Sequence, residues 1–440
     1  MNPTAGTKPR PAVPRSRRVI VIRFAAVLAG VAAAVWLWPR SAPRASGPLS
    51  HDAYVWQRAW TEPVRRSIHE YSAQLHRLIV LNAEVSFPQG EPQITRVAVD
   101  YSTLRAIGRP VGLALRIGPH PGPFTKEDAL ARMLAELAAG LIVEARTNGV
   151  TVAEFQVDFD CAERKLDGYR RWVEVLRARV APVPLVITAL PAWLDRPAFR
   201  RLVAAVDGFV LQVHSLARPK TPSDPFLLCE PSAARRAVER AAKFDRPFRV
   251  ALPTYGYLAA FDRTDRFIGL SAEGPVASWP ADVKLREVKA DAGAMAKLVN
   301  GWMADRPQVL AGVVWYRLPV ESDRRNWRWP TLAKVMAGEL PRAEVRVEAR
   351  RVETGLVEIQ LVNRGVAEHR GPDLVTVSWL RGRLIASDGL LGYETADGAT
   401  DSVQLRGKAD RPGLAPGERR TIGWVRFHSE AEVQVNADAE

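Results

Sequence analysis

Eight short apolar runs recur between residues 50 and 320, and helical patterns fall between most of them. The runs cover residues 53–57, 78–85, 111–117, 154–160, 185–190, 208–214, 248–252 and 312–318. Between them, residues 128–146, 166–179, 197–205, 232–243 and 291–304 carry apolar side chains at helical spacing. Strands alternating with helices build a parallel sheet, and eight such units are the number that closes into a (β/α)8 TIM barrel. An extra strand-like run at 94–100 is placed as a hairpin with the second barrel strand. The stretch at about 258–290 is too long for a plain loop and reads as an insertion after the seventh strand.

The helical periodicity stops near Leu340. From there short alternating runs at 344–348, 356–362, 374–379, 402–405, 421–427 and 432–435 are separated by turns such as Asn363-Arg364-Gly365 and Pro416-Gly417-Glu418. The fold class is therefore α/β, a TIM barrel over 51–340 followed by a C-terminal all-β sandwich over 341–440. The sandwich serves as a spacer or stability module, or binds carbohydrate.

The chain of 440 residues carries a net charge of +14, but eight of those positive charges fall in the first fifty residues, which hold no acid. The remainder is spread without a dense basic run, so nucleic-acid binding is not expected. The basic arm ends in a nearly apolar stretch at about 19–38, interrupted by Arg23, that is long enough to span a bilayer. It predicts an inner-membrane anchor or a cleaved signal, with cleavage after Ala42 or Ala45, and a chain on the periplasmic or extracellular side. Ser16-Arg17-Arg18 resembles a twin-arginine export signal.

Within the barrel pattern, residues 154–160 (EFQVDFD) alternate: Phe155, Val157 and Phe159 face the helices, and Gln156, Asp158 and Asp160 face the interior. The two aspartates then sit at the C-terminal mouth, where barrel active sites collect, with Cα atoms roughly 6–7 Å apart. One ionised carboxylate at that spacing raises the pKa of the other. Solvated strand-end aspartates, or a pair locked to Arg116 or Arg317, are the structural alternative.

Other strand ends supply Trp56, with Arg58 and Trp60 beyond it, then Arg116, Thr188 with Trp193 nearby, Gln212 and His214, Tyr255 and Tyr257, and Trp315, Tyr316 and Arg317. Rings around carboxylates suit sugars, whose C–H faces stack on aromatic planes. No spacing of His, Cys and Glu supports a metal, no glycine loop cradles a phosphate, and no cofactor is expected. The two cysteines, Cys161 and Cys229, could pair or remain two free thiols.

Pro253-Thr254-Tyr255-Gly256, the acids of the fourth strand, the insertion after the seventh and Trp315 at the end of the eighth resemble the family 18, chitinase-type glycoside hydrolases. The resemblance implies a glycosidase-like barrel whose acid lies two residues after the last aspartate of that series. This chain departs there: with Asp158 and Asp160 matching the aspartates, Ala162 stands in the acid's place and Glu163 falls one residue late. In the other register Asp160 takes the acid's place and Gln156 replaces an aspartate. More closely, FQVDFDCAERKLDGY (155–169), Ile187-Thr188-Ala189-Leu190 with Trp193, and VDGFVLQVH (206–214) resemble a bacterial domain-of-unknown-function family with a glycosidase-like barrel.

The function that follows is glycosidase-like action on a cell-envelope or extracellular polysaccharide. Asp160 is the expected general acid and Asp158 its pKa-raising partner, with Asp100 or Glu321 as a second acid if substrate assistance is absent. Arg116, Gln212, His214, Tyr255 and Arg317 are expected to hold polar groups, and Trp56 and Trp315 to floor the sugar. The alternative is a barrel that binds carbohydrate, or serves envelope assembly, without chemistry.

Overall fold

The computed structural model describes Met1, Gly6, Thr7 and residues 43–125, 129–215, 218–271, 279–280 and 282–438. The stretch at 19–38 expected to meet the membrane lies outside the described residues. Among those that are described, no helix is long and apolar enough to cross a membrane.

Eight parallel strands form the barrel: β1 (Ser50–Val55), β2 (Arg77–Ser86), β3 (Val111–Ile117), β4 (Val152–Phe159), β5 (Leu185–Ala189), β6 (Gly208–Gln212), β7 (Phe248–Pro253) and β8 (Leu310–Tyr316). Each pairs with the next, and β1 pairs with both β2 and β8, so the sheet closes on itself. A helix follows every strand: α1 (Glu62–Tyr71), α2 (Tyr101–Ala106), α3 (Ala129–Thr147), α4 (Leu166–Val180), α5 (Pro197–Ala204), α6 (Pro231–Ala241), α7 (Ala292–Ala304) and α8 (Trp329–Met336). Proline in the first turn of α1, α5, α6 and α8 fixes their start where an N–H would go unpaired. Asp291 caps α7 by accepting from the Ala294 N–H at 2.9 Å.

The outward side chains of the strands pack on these helices. On α4, Leu166, Tyr169, Trp172, Val173, Leu176 and Val180 form the buried stripe, and Phe159 of β4 meets Tyr169 and Trp172 with ring centroids 5.1 and 5.8 Å away.

The barrel interior is polar in layers. At the bottom, Arg249 of β7 bridges Asp52 of β1 and Glu154 of β4 at 2.5 and 2.6 Å, and Arg77 adds a second cation to Glu154 at 2.5 Å. Gly112 of β3 is the strand neighbour of Glu154, and a Cβ there would meet the Glu154 Cγ at 3.1 Å, so the glycine makes room for the buried carboxylate. One layer up, the Tyr54 hydroxyl donates to the Gln156 Oε1 across the barrel at 2.9 Å, and Gln156 donates to Glu154 at 2.6 Å. Asp158 stands above them at the mouth.

Residues Gln93–Arg96 pair antiparallel with the end of β2, as the extra strand-like run predicts. Between β7 and α7, strands Gly256–Phe261, Phe267–Ser271 and Lys284–Lys289 form a small antiparallel sheet centred on the first.

After α8 come eight antiparallel strands: β9 (Val345–Glu353), β10 (Leu356–Asn363), β11 (Leu374–Leu380), β12 (Leu384–Gly389), β13 (Tyr393–Asp397), β14 (Ser402–Gly407), β15 (Arg419–Phe427) and β16 (Glu432–Ala437). They form two four-stranded sheets, ordered β9-β10-β15-β12 and β13-β14-β11-β16. Ile359, Val377, Leu405, Ile422 and Phe427 lie in the core between them. The sandwich is tied to the barrel side by Lys289–Glu368 at 2.8 Å and by the Thr331 hydroxyl donating to the Val366 carbonyl at 2.6 Å.

Candidate active site

Register brings three charged side chains of adjacent strands to one level of the mouth. Glu84 of β2 is the neighbour of Arg116 of β3, which is the neighbour of Asp158 of β4. From β5, the Thr188 hydroxyl donates to the Asp158 Oδ1 at 2.8 Å. Glu84 is held by Arg58 through two bonds of 2.7 and 2.9 Å and by Arg116 at 3.5 Å. Arg58, Glu84 and Arg116 thus form one ion-paired group, and Asp158 has the Thr188 hydroxyl but, among the described residues, no cation within ion-pair distance.

Burial in this setting pushes the Asp158 carboxyl up to about 6, and the neighbouring Asp160 charge adds to the rise; Thr188 and Arg116 oppose it. The carboxyl with the raised pKa is thus Asp158, the one expected to act on its neighbour. β4 ends at Phe159, and the Cys161 N–H bonds back to the Phe159 carbonyl at 2.8 Å. That turn lifts Asp160 out of the alternation and exposes it to water.

The aromatic wall is centred on Tyr316. Its ring lies 5.8 Å from Tyr54, 5.6 Å from Trp56, 5.4 Å from His214 and 5.3 Å from Tyr255. Trp315 was expected at this place and is not there. Adjacent residues of a strand face opposite ways, and Trp315 points outward, stacking on His51 and donating to its Nδ1 at 3.2 Å, with Trp327 beyond.

Trp56, His214 and Tyr255 do gather at the mouth, but all three are buried behind Tyr316. Burial pushes His214 down to about 3, so it is neutral at ordinary pH. Its Nδ1 lies 3.3 Å from the Tyr255 hydroxyl, which is 2.6 Å from the Ser215 Oγ; Tyr257 joins Ser215 at 2.7 Å. Gln212 is half-buried, its amide 3.5 Å from the His214 carbonyl. Arg317 is buried and paired with Asp323 at 2.5 Å. The side chains that keep some access to solvent at the mouth are Asp158, Arg116, Glu84, Gln212, Tyr257 and Tyr316, with Asp160 at the rim.

The second acids named from sequence are engaged elsewhere. Asp100 caps α2, accepting from the Thr103 N–H at 3.1 Å. Glu321 pairs with Arg66 at 3.4 Å. Both cysteines are free and buried, and burial pushes each thiol up to about 12, which leaves neither a nucleophile. Among the described residues no group of three or more His, Cys, Asp or Glu is disposed to hold a metal ion.

Beside the mouth, a cleft of about 1180 Å³ runs between the loops after β1 and β8 on one side and the sandwich on the other. Trp56 and Arg317 belong to both the mouth and the cleft; Asp158 does not line the cleft.

Residues 107–321, which span β3 to β8 and include Asp158, match the model of a domain of unknown function, DUF3142. The DUF3142 region supplies Arg116, Asp158, Thr188 and Tyr316, whereas Glu84 and Trp56 come from the strands before it. Residues 346–428 match a second domain of unknown function, DUF8456, across most of the sandwich.

No curated protein matches the sequence. Among solved structures, a chitinase from Chromobacterium violaceum is similar over 66% of this chain and 99% of its own, at 17% identity and a TM-score of 0.45. The spore cortex-lytic enzyme SleL of Bacillus cereus covers 67% of this chain and 75% of its own, at 13% identity and 0.47. The chitinase ChiB of Flavobacterium johnsoniae covers 62% and 89%, at 12% and 0.42. These are likenesses of one barrel to another and carry nothing about substrate.

Proposed function

We propose that the barrel is a glycoside-hydrolase-like enzyme that acts on a cell-envelope or extracellular polysaccharide, with Asp158 as its general acid. The observation that carries this reading is a carboxyl at the barrel mouth, raised to about 6, bonded to the Thr188 hydroxyl and next to Arg116 on the neighbouring strand. A general acid works best with a pKa near the working pH. Protonated Asp158 gives its proton to the glycosidic oxygen as the C1–O bond breaks. The positive charge left on the sugar is met by water or by an acyl oxygen of the sugar itself, and the proton shed by the attacking water returns to Asp158. Asp160 at the rim helps to raise the Asp158 pKa.

Asp158 and Asp160 follow each other on one strand, so they do not face each other across a sugar as a water-spaced inverting pair would. Assistance from the substrate is the route this arrangement favours. The test is hydrolysis of a panel of envelope and extracellular glycans by the parent and by Asp158→Asn. Cleavage by the parent that falls off as pH rises through about 6, and is lost in the variant, supports the reading; equal cleavage by both ends it.

A second reading, a sugar-binding barrel without chemistry, is favoured by the state of Glu84. That carboxylate shares the level of Asp158 but is held by two arginines. Binding of oligosaccharide with no cleavage of any panel member would select it. A periplasmic or extracellular location, with residues 19–38 as anchor or signal, belongs to the same proposal and rests on sequence alone. Membrane fractionation and N-terminal sequencing of the mature chain test it.

A further inference from the structure

The cleft between barrel and sandwich has a chemical bias that neutral sugars do not explain. Seven cationic side chains line it against four carboxylates. Most of the cations are matched within the protein. Lys289 pairs with Glu368 at 2.8 Å, Arg317 with Asp323 at 2.5 Å, Arg420 with Glu418 at 2.6 Å and Arg325 with Glu287 at 3.9 Å. Arg58 is taken by Glu84. Arg324 and Arg328 are different: among the described residues neither has a carboxylate within ion-pair distance, and Arg328 spends one N–H on the Glu321 carbonyl. Both sit in the loop after β8, directly beyond the strand that carries Tyr316 to the mouth.

At about 1180 Å³ the cleft exceeds the roughly 300–1,000 Å³ of pockets that take a single small ligand. It has the room of a short oligomer, and it begins where Trp56 and Arg317 border the active site. Guanidinium groups present planar forks that match carboxylate and sulfate oxygens in pairs, and between two walls such contacts are less screened than on an open surface. Stacking platforms that would suit nucleic-acid bases are absent from the lining: Trp56 is its one aromatic residue among those described.

We infer that the cleft is a subsite for an acidic polysaccharide, a strand whose units carry carboxylate or sulfate groups, held by Arg324 and Arg328 as it leads to the barrel mouth. The sandwich then forms one wall of the binding site. The inference rests on the glycosidase-like reading for the direction of the strand, but not for the binding itself.

The experiment measures binding of three hexasaccharides to the full chain: a polyuronate, a sulfated galactan and a neutral chain of the same length. The same three are run on Arg324→Gln/Arg328→Gln. An acidic probe is expected to bind at least about tenfold tighter than the neutral one in low salt, and to lose about tenfold per arginine in the double variant, since each removes one charge-assisted pair. Neutral binding is expected to stay as in the parent, which also shows that the variant is folded. Whichever acidic probe wins identifies the group recognised.

Equal binding of acidic and neutral probes, or no effect of the double variant, overturns the inference. So does a single-stranded DNA of matched charge that binds as tightly, which would make the cleft a general anion trap. Cleavage of neutral glycans with no affinity for acidic ones leaves the hydrolase reading and removes this one. Tight, arginine-dependent binding of an acidic probe with nothing cleaved does the reverse.

Discussion

The state of Asp158 can be measured without knowing a substrate, because a shifted pKa is also a statement about stability. Its carboxyl ionises at about 6 in the folded chain against an ordinary value of 3.8. The folded state therefore holds the proton more tightly than the unfolded state, and stability falls as pH rises through that window. About two pH units correspond to about 3 kcal/mol of cost at pH 8, and none below about pH 4. The side chain keeps some contact with water, so about 2 kcal/mol is the working figure. Asp158→Asn removes the charge, and its amide oxygen can still accept from Thr188. The variant is expected to be more stable than the parent at pH 8 and equal to it at pH 4. With a urea slope of about 3 kcal/mol/M, the midpoint moves up by about 0.7 M. The assay is urea unfolding followed by tryptophan emission at both pH values. A variant no more stable at pH 8, or one whose gain persists at pH 4, would refute the account of Asp158 as a strained, protonatable acid. A loss at pH 8 would show instead that its charge is a structural partner of Arg116.

Thr188→Val removes the donor to the ionised carboxylate and is expected to move the Asp158 pKa up by about one unit, while Asp160→Asn moves it down; carboxyl NMR titration reads both, and shifts in the same direction would contradict the geometry. Arg249→Met strips the shared cation from Asp52 and Glu154 and is expected to lower stability by about 3–5 kcal/mol near neutral pH. Asp52 ionises below its ordinary value in the fold, where His76 and Arg249 outweigh its burial, so that deficit narrows as pH falls and Asp52 protonates. Tyr316→Ala is expected to weaken oligosaccharide binding about tenfold. Trp315→Ala, one residue away, is expected to cost about 3–5 kcal/mol of stability and leave the affinity of the folded chain unchanged.

The eight barrel strands were legible because both faces of each are buried, which writes a dense apolar run between helical segments. Strands β12 and β13 of the sandwich were not anticipated. Leu384–Gly389 has no buried residue and Tyr393–Asp397 only one, so neither shows an apolar face. At the mouth, plain alternation says that Trp315 and Tyr316 face opposite ways but not which faces in, since both sides of a barrel strand are filled. Glu84 was hidden by a bulge. Ile79 and Leu81 share the inward level of Gly112 and Ala114, so strict alternation would turn Glu84 toward the helices. The register slips at Asn82, and beyond it Glu84 aligns with Arg116 and Asp158. Asp160 failed the other way, because the strand ended one residue before it.

Along β4 the polar residues run from fully satisfied to under-satisfied. Glu154 has Arg77, Arg249 and Gln156; Gln156 has Tyr54 as well; Asp158 has one hydroxyl. A guanidinium is within reach, since Arg116 is its strand neighbour, yet Arg116 leans on Glu84. Glu84 therefore acts on Asp158 twice, by its own negative charge, which helps to raise the Asp158 pKa, and by sharing the Arg116 cation that lowers it. Glu84→Gln is expected to release Arg116 toward Asp158 and bring that pKa from about 6 toward the ordinary carboxylate range. The high-pH limb of any hydrolysis should follow it down, with less activity at neutral pH as the protonated fraction shrinks. Carboxyl titration of Asp158 in Glu84→Gln decides the matter: an unchanged value means that burial alone sets it and that the Arg58–Glu84–Arg116 group only braces the strand ends.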